Sequence, residues 1–459
     1  MYLVQPVSPA HGSSPGWIAR QRRSPMTVDL LQPAVDGELR HGQVSGAQIL
    51  VISQFFGPDS SAVGQLLADA AEELSRAGHK ISVICGGSDY MARDRGQGGN
   101  NGHGDAPGAL LSSSPPSPGV IQVNQVRNLA FSHSKVKKLL SYATFYAGAT
   151  WKALKAPRPE VVVTLTAPPG LAWIGWLMQR VRGCRHVAWE MDVYPDIAMA
   201  LDMPLIGRLG GLLDYPRRRA DVVIALGECM KARLLRHRIP QQRILIAENW
   251  ANGRKIYPLP FPPHPPLRIL YSGNLGLAHD VTTISRVIEH FAGTPKLHFA
   301  FVGGGPGRRD LEQGVRQQAI SNVSFATYVQ LERLGESLAG CHIGLVTQKP
   351  STLGAVVPSK IYGLMAAGRP VLYIGPGTAT PALVIRRFDC GWHFECDDVE
   401  GVSRLLSHLL GHLGEVRQKG KRGREAFEEH YDTRAGVARI CNALGVRTSD
   451  RSCPESCQG

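Results

Sequence analysis

Six prolines crowd residues 258–266 (Pro258, Pro260, Pro262, Pro263, Pro265 and Pro266). Neither a helix interior nor a central strand tolerates that density, because proline lacks the backbone N–H and fixes φ. The segment therefore divides whatever folds on either side of it. On each side the same alternation appears. Before it, apolar runs at Gln48–Ser53, Lys80–Cys85, Val161–Leu165, His186–Trp189 and Asp221–Leu226 read as strands. After it, Arg268–Ser272, His298–Val302, Asn322–Phe325, His342–Val346 and Pro370–Ile374 do the same. Helical patterns lie between them. Val63, Leu66, Leu67, Ala70, Ala71 and Leu74, for example, recur at the spacing of one buried helix face. Two consecutive β/α series predict an α/β protein of two Rossmann-like, doubly wound domains.

The expected organisation follows. Residues 1–46 are rich in Pro, Gly, Ser and Arg without a period and read as a disordered tail. Residues 47–250 form the first domain, with a Gly/Ser/Asn/Pro-rich insertion over 86–119. Residues 251–266 are the linker and 267–427 the second domain. Residues 428–445 form a C-terminal helix that packs back on the first domain, and 446–459 are a polar tail.

Several function classes are excluded early. The first 25 residues hold no continuous apolar run, so they do not read as a secretory signal. The apolar stretch Val161–Met178 is interrupted by Thr164, Thr166 and Pro168-Pro169-Gly170, which argues for strand, turn and helix rather than a membrane span. The nine cysteines have no metal-ligand spacing, and a reduced, cytoplasmic protein is expected. Neither domain carries the dinucleotide glycine fingerprint, which argues against a hydride-transferring dehydrogenase, and no P-loop is present. The formal net charge of +14 points to an anionic partner or to a solvated basic surface. No RNA-binding motif accompanies it, so nucleic acid is not an expected partner.

Open α/β sheets bind ligands at the carboxyl ends of their strands, so residues just after strands carry the information. Five such segments stand out. Phe55–Gly64 follows the first strand; Gly57, Ser60 and Gly64 either meet a ligand or form a βα turn with a serine N-cap. Trp189–Asp196 gathers Glu190, Asp192 and Asp196, which either serve catalysis or cap a helix. Tyr271–Asp280 holds Gly273, Asn274, Gly276 and His279, suited to a pyrophosphate through free backbone amides and side-chain donors, or to helix capping alone. Gly303, Gly304 and Gly305 permit close backbone approach to a base or ribose. Ser359 reads as a helix N-cap, and Lys360 adds a positive charge where a leaving diphosphate would sit.

In order, Ile52–Pro58, Glu190–Asp196, Glu248-Asn249-Trp250, Tyr271–Gly276 and Pro358–Pro370 resemble glycosyltransferase family 4. Within it, the likeness is to bacterial exopolysaccharide and O-antigen enzymes such as colanic acid and fucosamine transferases. The resemblance spans about residues 47–440. It implies a GT-B fold, with two domains facing across a cleft. It also implies retaining transfer from a nucleotide-diphosphate sugar without an essential metal or other cofactor. Carried over by position, Gly273, Asn274, Gly276, Ser359 and Lys360 would contact the donor diphosphate. Gly64 would meet donor or acceptor, and Asp192 would lie near the reacting sugar. The acceptor would be a glycan on a lipid (polyprenyl) diphosphate, with the protein peripheral on the inner membrane. Lys135, Lys137, Lys138 and Arg217–Arg219 are candidate contacts to anionic lipid. One departure stands out: where many members carry two glutamates eight positions apart, this chain has Ala355 and Gly363. A nucleotide-sugar epimerase of the same fold and a noncatalytic nucleotide binder are the alternatives.

Overall fold

The computed structural model describes residues 46–57, 61–86, 119–126, 135–201 and 210–448, with side chains omitted over 135–139. Most of the expected tail 1–46, most of the insertion 86–119, most of the polar tail 446–459, Ser60, and the side chains of Lys135, Lys137 and Lys138 lie outside what is described.

Seven strands form the first sheet: β1 (Gln48–Ile52), β2 (Lys80–Gly86), β3 (Ile121–Val126), β4 (Val161–Thr164), β5 (Arg185–Trp189), β6 (Val222–Ala225) and β7 (Ile244–Ile246). Their order is β3-β2-β1-β4-β5-β6-β7, and every pairing is parallel. The second sheet contains β8 (Leu267–Ser272), β9 (Leu297–Val302), β10 (Val323–Ala326), β11 (Ile343–Thr347), β12 (Val371–Ile374) and β13 (Gly391–Phe394). Its order is β10-β9-β8-β11-β12-β13, again all parallel. In both sheets the order reverses beside the first strand, between β1 and β4 and between β8 and β11. That reversal opens the crevice where such sheets take ligands.

Parallel strands covered on both faces must be apolar at every position rather than at alternate ones. β1 obeys this. Ile49 and Val51 pack with Leu67, Ala70 and Leu74 of the helix Ala62–Arg76 on one face. Leu50 and Ile52 pack with Phe145, Ile174 and Met178 on the other. The stretch Val161–Met178 does resolve into β4, a turn and the start of the helix Ala172–Arg182.

The chain beyond residue 413 forms two helices, Leu413–His430 and Thr433–Leu444. The break follows from Asp432, whose side chain caps the second helix by accepting from the Thr433 amide. Val416 packs in the second domain, whereas Ile440, Cys441 and Leu444 join the first core beside Leu67 and Leu74. Ala251 N–H donates to the Tyr431 carbonyl at 3.1 Å, so the chain's two crossings between domains lie side by side. Among the described residues, no helix is long and apolar enough to cross a membrane.

Candidate active site

The site assembles from the loop ends of β5, β8, β9 and β11 and from the helix Lys360–Ala366. After β8, Gly273 N–H donates to the Val302 carbonyl at 2.8 Å, and Leu275 N–H donates to that of Gly304 at 2.8 Å. The two glycine-rich loops are therefore bonded to each other through their backbones. Gly303 (φ 130°) and Gly305 (φ 110°) occupy conformations that L side chains rarely adopt. A Cβ on Gly303 would collide with the Gly273 carbonyl, and one on Gly305 with Asn274. These glycines first let one loop lie on the other; the space left open belongs to the paired loops jointly.

Lys360 completes this cradle. Its Nζ donates to the Asn274 carbonyl at 3.4 Å and sits 5.2 Å from the centre of the Tyr271 ring. Tyr271 O–H donates to the same carbonyl at 2.8 Å. Burial pushes the Lys360 ammonium down to about 8. Such a partly buried ammonium gains from an arriving anion. Ser359 occupies the N-cap position, but its hydroxyl makes no capping hydrogen bond to the helix.

His279 takes a different role from the donor expected of it. Its Nδ1 lies 2.8 Å from the Thr347 carbonyl, which can only accept, so Nδ1 carries the proton. Burial, helped by Lys360, pushes the imidazole down to about 3 and keeps it neutral. Nε2 is then an acceptor, suited to a hydroxyl rather than a phosphate.

The three carboxylates after β5 separate. Glu190 is buried and pairs with Arg217, Nε to Oε1 at 3.4 Å. Asp196 accepts from Arg233 at 2.9 Å and from His237. Asp192 remains half-exposed, and its carboxylate has no hydrogen-bonding partner among the described residues. Burial and then the Glu190 charge push Asp192 up to about 6. Its turn is held by Thr166, whose Oγ1 accepts from the amides of Met191 (3.3 Å) and Asp192 (3.2 Å). In the sequence Thr166 stands only as an interruption in an apolar run. Its place just after β4, at the reversal of strand order, was the available signal.

Asp192 also meets the second domain. It forms an antiparallel bridge with Val356, and Val193 N–H donates to the Ala355 carbonyl at 2.8 Å. Arg233 donates from Nε (3.2 Å) and Nη2 (2.6 Å) to the Leu353 carbonyl, so one guanidinium joins Asp196 of the first domain to the loop leading to Ser359 and Lys360. Those contacts tie the Asp192 segment to the loop that leads to Ser359 and Lys360. They also show what occupies the two positions that lack glutamates. Ala355 is fully buried, and a Cβ on Gly363 would point at Leu338 (3.4 Å) and Ile256 (3.9 Å). A side chain there would face apolar packing.

In the first-domain loop, Ser61 caps the helix Ala62–Arg76 by accepting from the Gly64 amide at 3.3 Å. Gly64 therefore has no free N–H to offer, and its carbonyl accepts from Gly57 at 3.3 Å. Arg217 is not available to lipid either. It is 4% exposed and committed to Glu190, Asp214 and the Tyr194 carbonyl, which corrects the expectation that all of Arg217–Arg219 face a membrane.

Residues 61–250 match the family model described as a glycosyl transferase 4-like domain. The probable glycosyltransferase WbjE of Pseudomonas aeruginosa is 25% identical over 281 residues, covering 57% of this chain and 70% of that protein. The putative colanic acid biosynthesis glycosyl transferase WcaI of Escherichia coli K12 is 23% identical over 342 residues, covering 70% of this chain and 81% of that protein. Among solved structures, Anabaena HepE in complex with UDP and glucose superposes with a TM-score of 0.63 at 12% identity, covering 87% of this chain and 99% of that one. That last likeness shows the fold. Residues 61–250 thus match a glycosyl transferase 4-like domain, and the chain is a glycosyltransferase built on the GT-B fold.

Proposed function

We propose that this enzyme moves a sugar from a nucleotide-diphosphate donor to a glycan carried on a lipid diphosphate. On this reading the transfer retains anomeric configuration and needs no metal, and the product enters a bacterial surface polysaccharide. The observation that supports the reading is the backbone bridge between Asp192 and Val356, four residues before Lys360 in the chain. The name of WcaI, which refers to colanic acid biosynthesis, supports the product class. The UDP and glucose in the HepE structure support the donor class.

In this scheme the diphosphate lies against Gly273–Gly276 and Ser359, with Lys360 meeting the charge that grows on it as the glycosidic bond breaks. Fixed donors aimed at a developing charge lower the barrier because they need no reorganisation during the reaction. His279 Nε2 accepts from a sugar hydroxyl and orients the ring. Asp192, ionised above about 6, sits on the acceptor side, where it stabilises positive charge at the anomeric carbon or receives the acceptor's proton.

The test is a thermal-shift screen against UDP, GDP, dTDP, CMP and their sugars. A ligand that binds only the folded state raises its apparent stability. One nucleoside diphosphate should raise Tm in wild type and fail to do so in Lys360→Ala. Folded protein that responds to none of them sinks the proposal. Steady consumption of the sugar nucleotide into an isomer, with no acceptor present, would make the protein an epimerase instead.

A further inference from the structure

The loop 348–358 joins β11 to the helix Lys360–Ala366, and it touches the first domain at Val356, Ala355 and Leu353. Its backbone makes turns of its own: Thr352 N–H donates to the Lys349 carbonyl at 3.1 Å, and Ala355 N–H donates to that of Thr352 at 3.0 Å. Such bonds fix single turns, but not the path from one turn to the next. Gln348 supplies that path. It is 1% exposed, and its Nε2 donates to the carbonyls of both Thr352 (3.3 Å) and Val356 (3.2 Å). Its Oε1 accepts from the hydroxyl of Tyr373, a fully buried residue of β12, at 2.9 Å. The opposite amide orientation would set an oxygen against two carbonyls, so these partners dictate which end carries the N–H groups. Gln348 is itself anchored, because its backbone N–H donates to the Ile374 carbonyl at 2.9 Å and extends the pairing of β11 with β12. The side chain therefore reaches from a rigid sheet edge into the loop and closes it from inside.

The near end of the same loop holds the His279 segment. Lys349 N–H donates to the Ala278 carbonyl at 2.9 Å, and Thr352 Oγ1 donates to the carbonyls of Lys349 (2.8 Å) and Ala278 (3.4 Å). The far end bridges Asp192 through Val356. We propose that Gln348 is a positioning residue for sugar transfer, its amide setting the separation between the His279 and Asp192 segments by fixing the loop that bonds to both. The proposal rests on the reading of His279 and Asp192 as groups that act on the sugar and its acceptor. A buried amide with partners on both ends is costly to disturb, because each carbonyl it abandons stays out of water without a donor. The bonds of the Lys360 cradle run among Gly273, Val302, Leu275, Gly304, Asn274 and Lys360, and none of them passes through Gln348. Loss of the amide should therefore act on the chemical step more than on capture of the nucleotide.

Two variants of the full chain test this. Gln348→Met keeps the volume and removes every hydrogen bond of the amide. With the sugar nucleotide selected by the thermal-shift screen, it should lower kcat by about 100-fold and leave KM for that nucleotide within about threefold, as expected when reacting groups move by about 1 Å. Tyr373→Phe removes only the hydroxyl on Oε1 and should lower kcat by about fivefold. Hydrogen–deuterium exchange reads the geometry without any substrate. The Val193 amide, which donates across the domains to Ala355, should exchange about tenfold faster in Gln348→Met. Val402→Ala, a truncation in the core of the second domain, should lower Tm and leave both readouts unchanged. Wild-type kcat in Gln348→Met overturns the proposal. So does Val193 exchange that stays at the wild-type rate while Tm falls, which would leave Gln348 a packing residue. If Gln348→Met does not fold, Tyr373→Phe decides by the same two readouts. The nucleotide thermal shift separates this inference from the reading beneath it. A shift retained in Gln348→Met with Val193 exchange unchanged removes only the positioning role. Faster Val193 exchange in a protein whose wild type answers to none of UDP, GDP, dTDP and CMP removes the transferase scheme but not the coupling of the two segments through Gln348.

Discussion

Replacing Lys360 with alanine is expected to lower kcat/KM for transfer by about 100- to 1,000-fold, the usual loss when one fixed donor to a developing negative charge is removed. Arg309→Ala should change it by less than about twofold, since Arg309 is an exposed side chain on the surface of the second domain. Arginine should not rescue the loss. A Cβ on Gly273 would stand only 2.8 Å from Lys360 Cε, so the channel is shaped for a slim alkyl stem, and a planar guanidinium presents its donors differently. The pH dependence follows from two groups of the free enzyme. Lys360 must be protonated to receive the diphosphate, and burial has brought it down to about 8, so donor capture weakens as pH rises through that value. Asp192 must be ionised, and burial beside Glu190 has raised it to about 6, so the rate falls as pH drops through that value. The kcat/KM profile should therefore be a bell with limbs near 6 and 8. Asp192→Asn should remove the acid limb along with most of the rate. A profile that stays flat across both limbs in wild type would exclude both assignments.

Arg217→Ala should destabilise the protein by about 3–5 kcal/mol in urea or thermal unfolding, the range for removing one partner of a buried ion pair. The reason is what stays behind. Glu190 and Asp214 are both buried, and Arg217 reaches them at 3.4 and 3.1 Å. The Oε2 of Glu190 already has no partner among the described residues. Arg217→Met combined with Glu190→Gln should recover part of the loss by removing a charge from each side, a coupling that a double-mutant cycle reads directly. The same network makes stability depend on pH. His237 lies between Asp196 and Asp214, and its hydrogen bonds to those carboxylates raise it to about 9 from an ordinary 6.5. A raised histidine stabilises fully below its unfolded value and loses that contribution as pH climbs towards the folded one. Tm should thus decline between about 6.5 and about 9, and His237→Gln should start lower and flatten the decline. Asp196 has the opposite sign: held low by His237 and Arg233, it stabilises above the ordinary aspartate range, and that part is lost as pH falls. Arg217→Ala unfolding within about 1 kcal/mol of wild type would show that the network carries little of the fold.

Much of the fold was legible because fully covered parallel strands leave an unmistakable pattern: short, continuous apolar runs bounded by turn residues. β1, β4, β6 and β12 are of this kind. The strands that escaped notice lack that pattern for identifiable reasons. β3 stands at an edge and reads Ile-Gln-Val-Asn-Gln-Val, with much of it exposed. β7 has three residues, and β13 mixes Trp and His into a half-buried edge. Short length and one-sided burial erase the hydrophobic signal.

The site divides in the same way. Position after a strand can be read from the chain alone, because open α/β sheets place their ligands there, and it pointed to Gly273, Ser359, Lys360 and the acids after β5. Local sequence could not decide which acid stays open, since that depends on partners distant in the chain. Arg217 takes Glu190, and Arg233 with His237 takes Asp196, leaving Asp192 beside Val356 from the other domain. Nor could it show that the Thr347 carbonyl takes the ring N–H of neutral His279, or that Ser61 takes the Gly64 amide. The sequence by itself determined two sheets, their helices and the loops that face the cleft, because those follow from periodicity and backbone chemistry. Tertiary structure alone decided which polar groups in those loops remain unpaired, because a charged or hydrogen-bonding side chain buried on folding takes whichever partner the packing brings within reach.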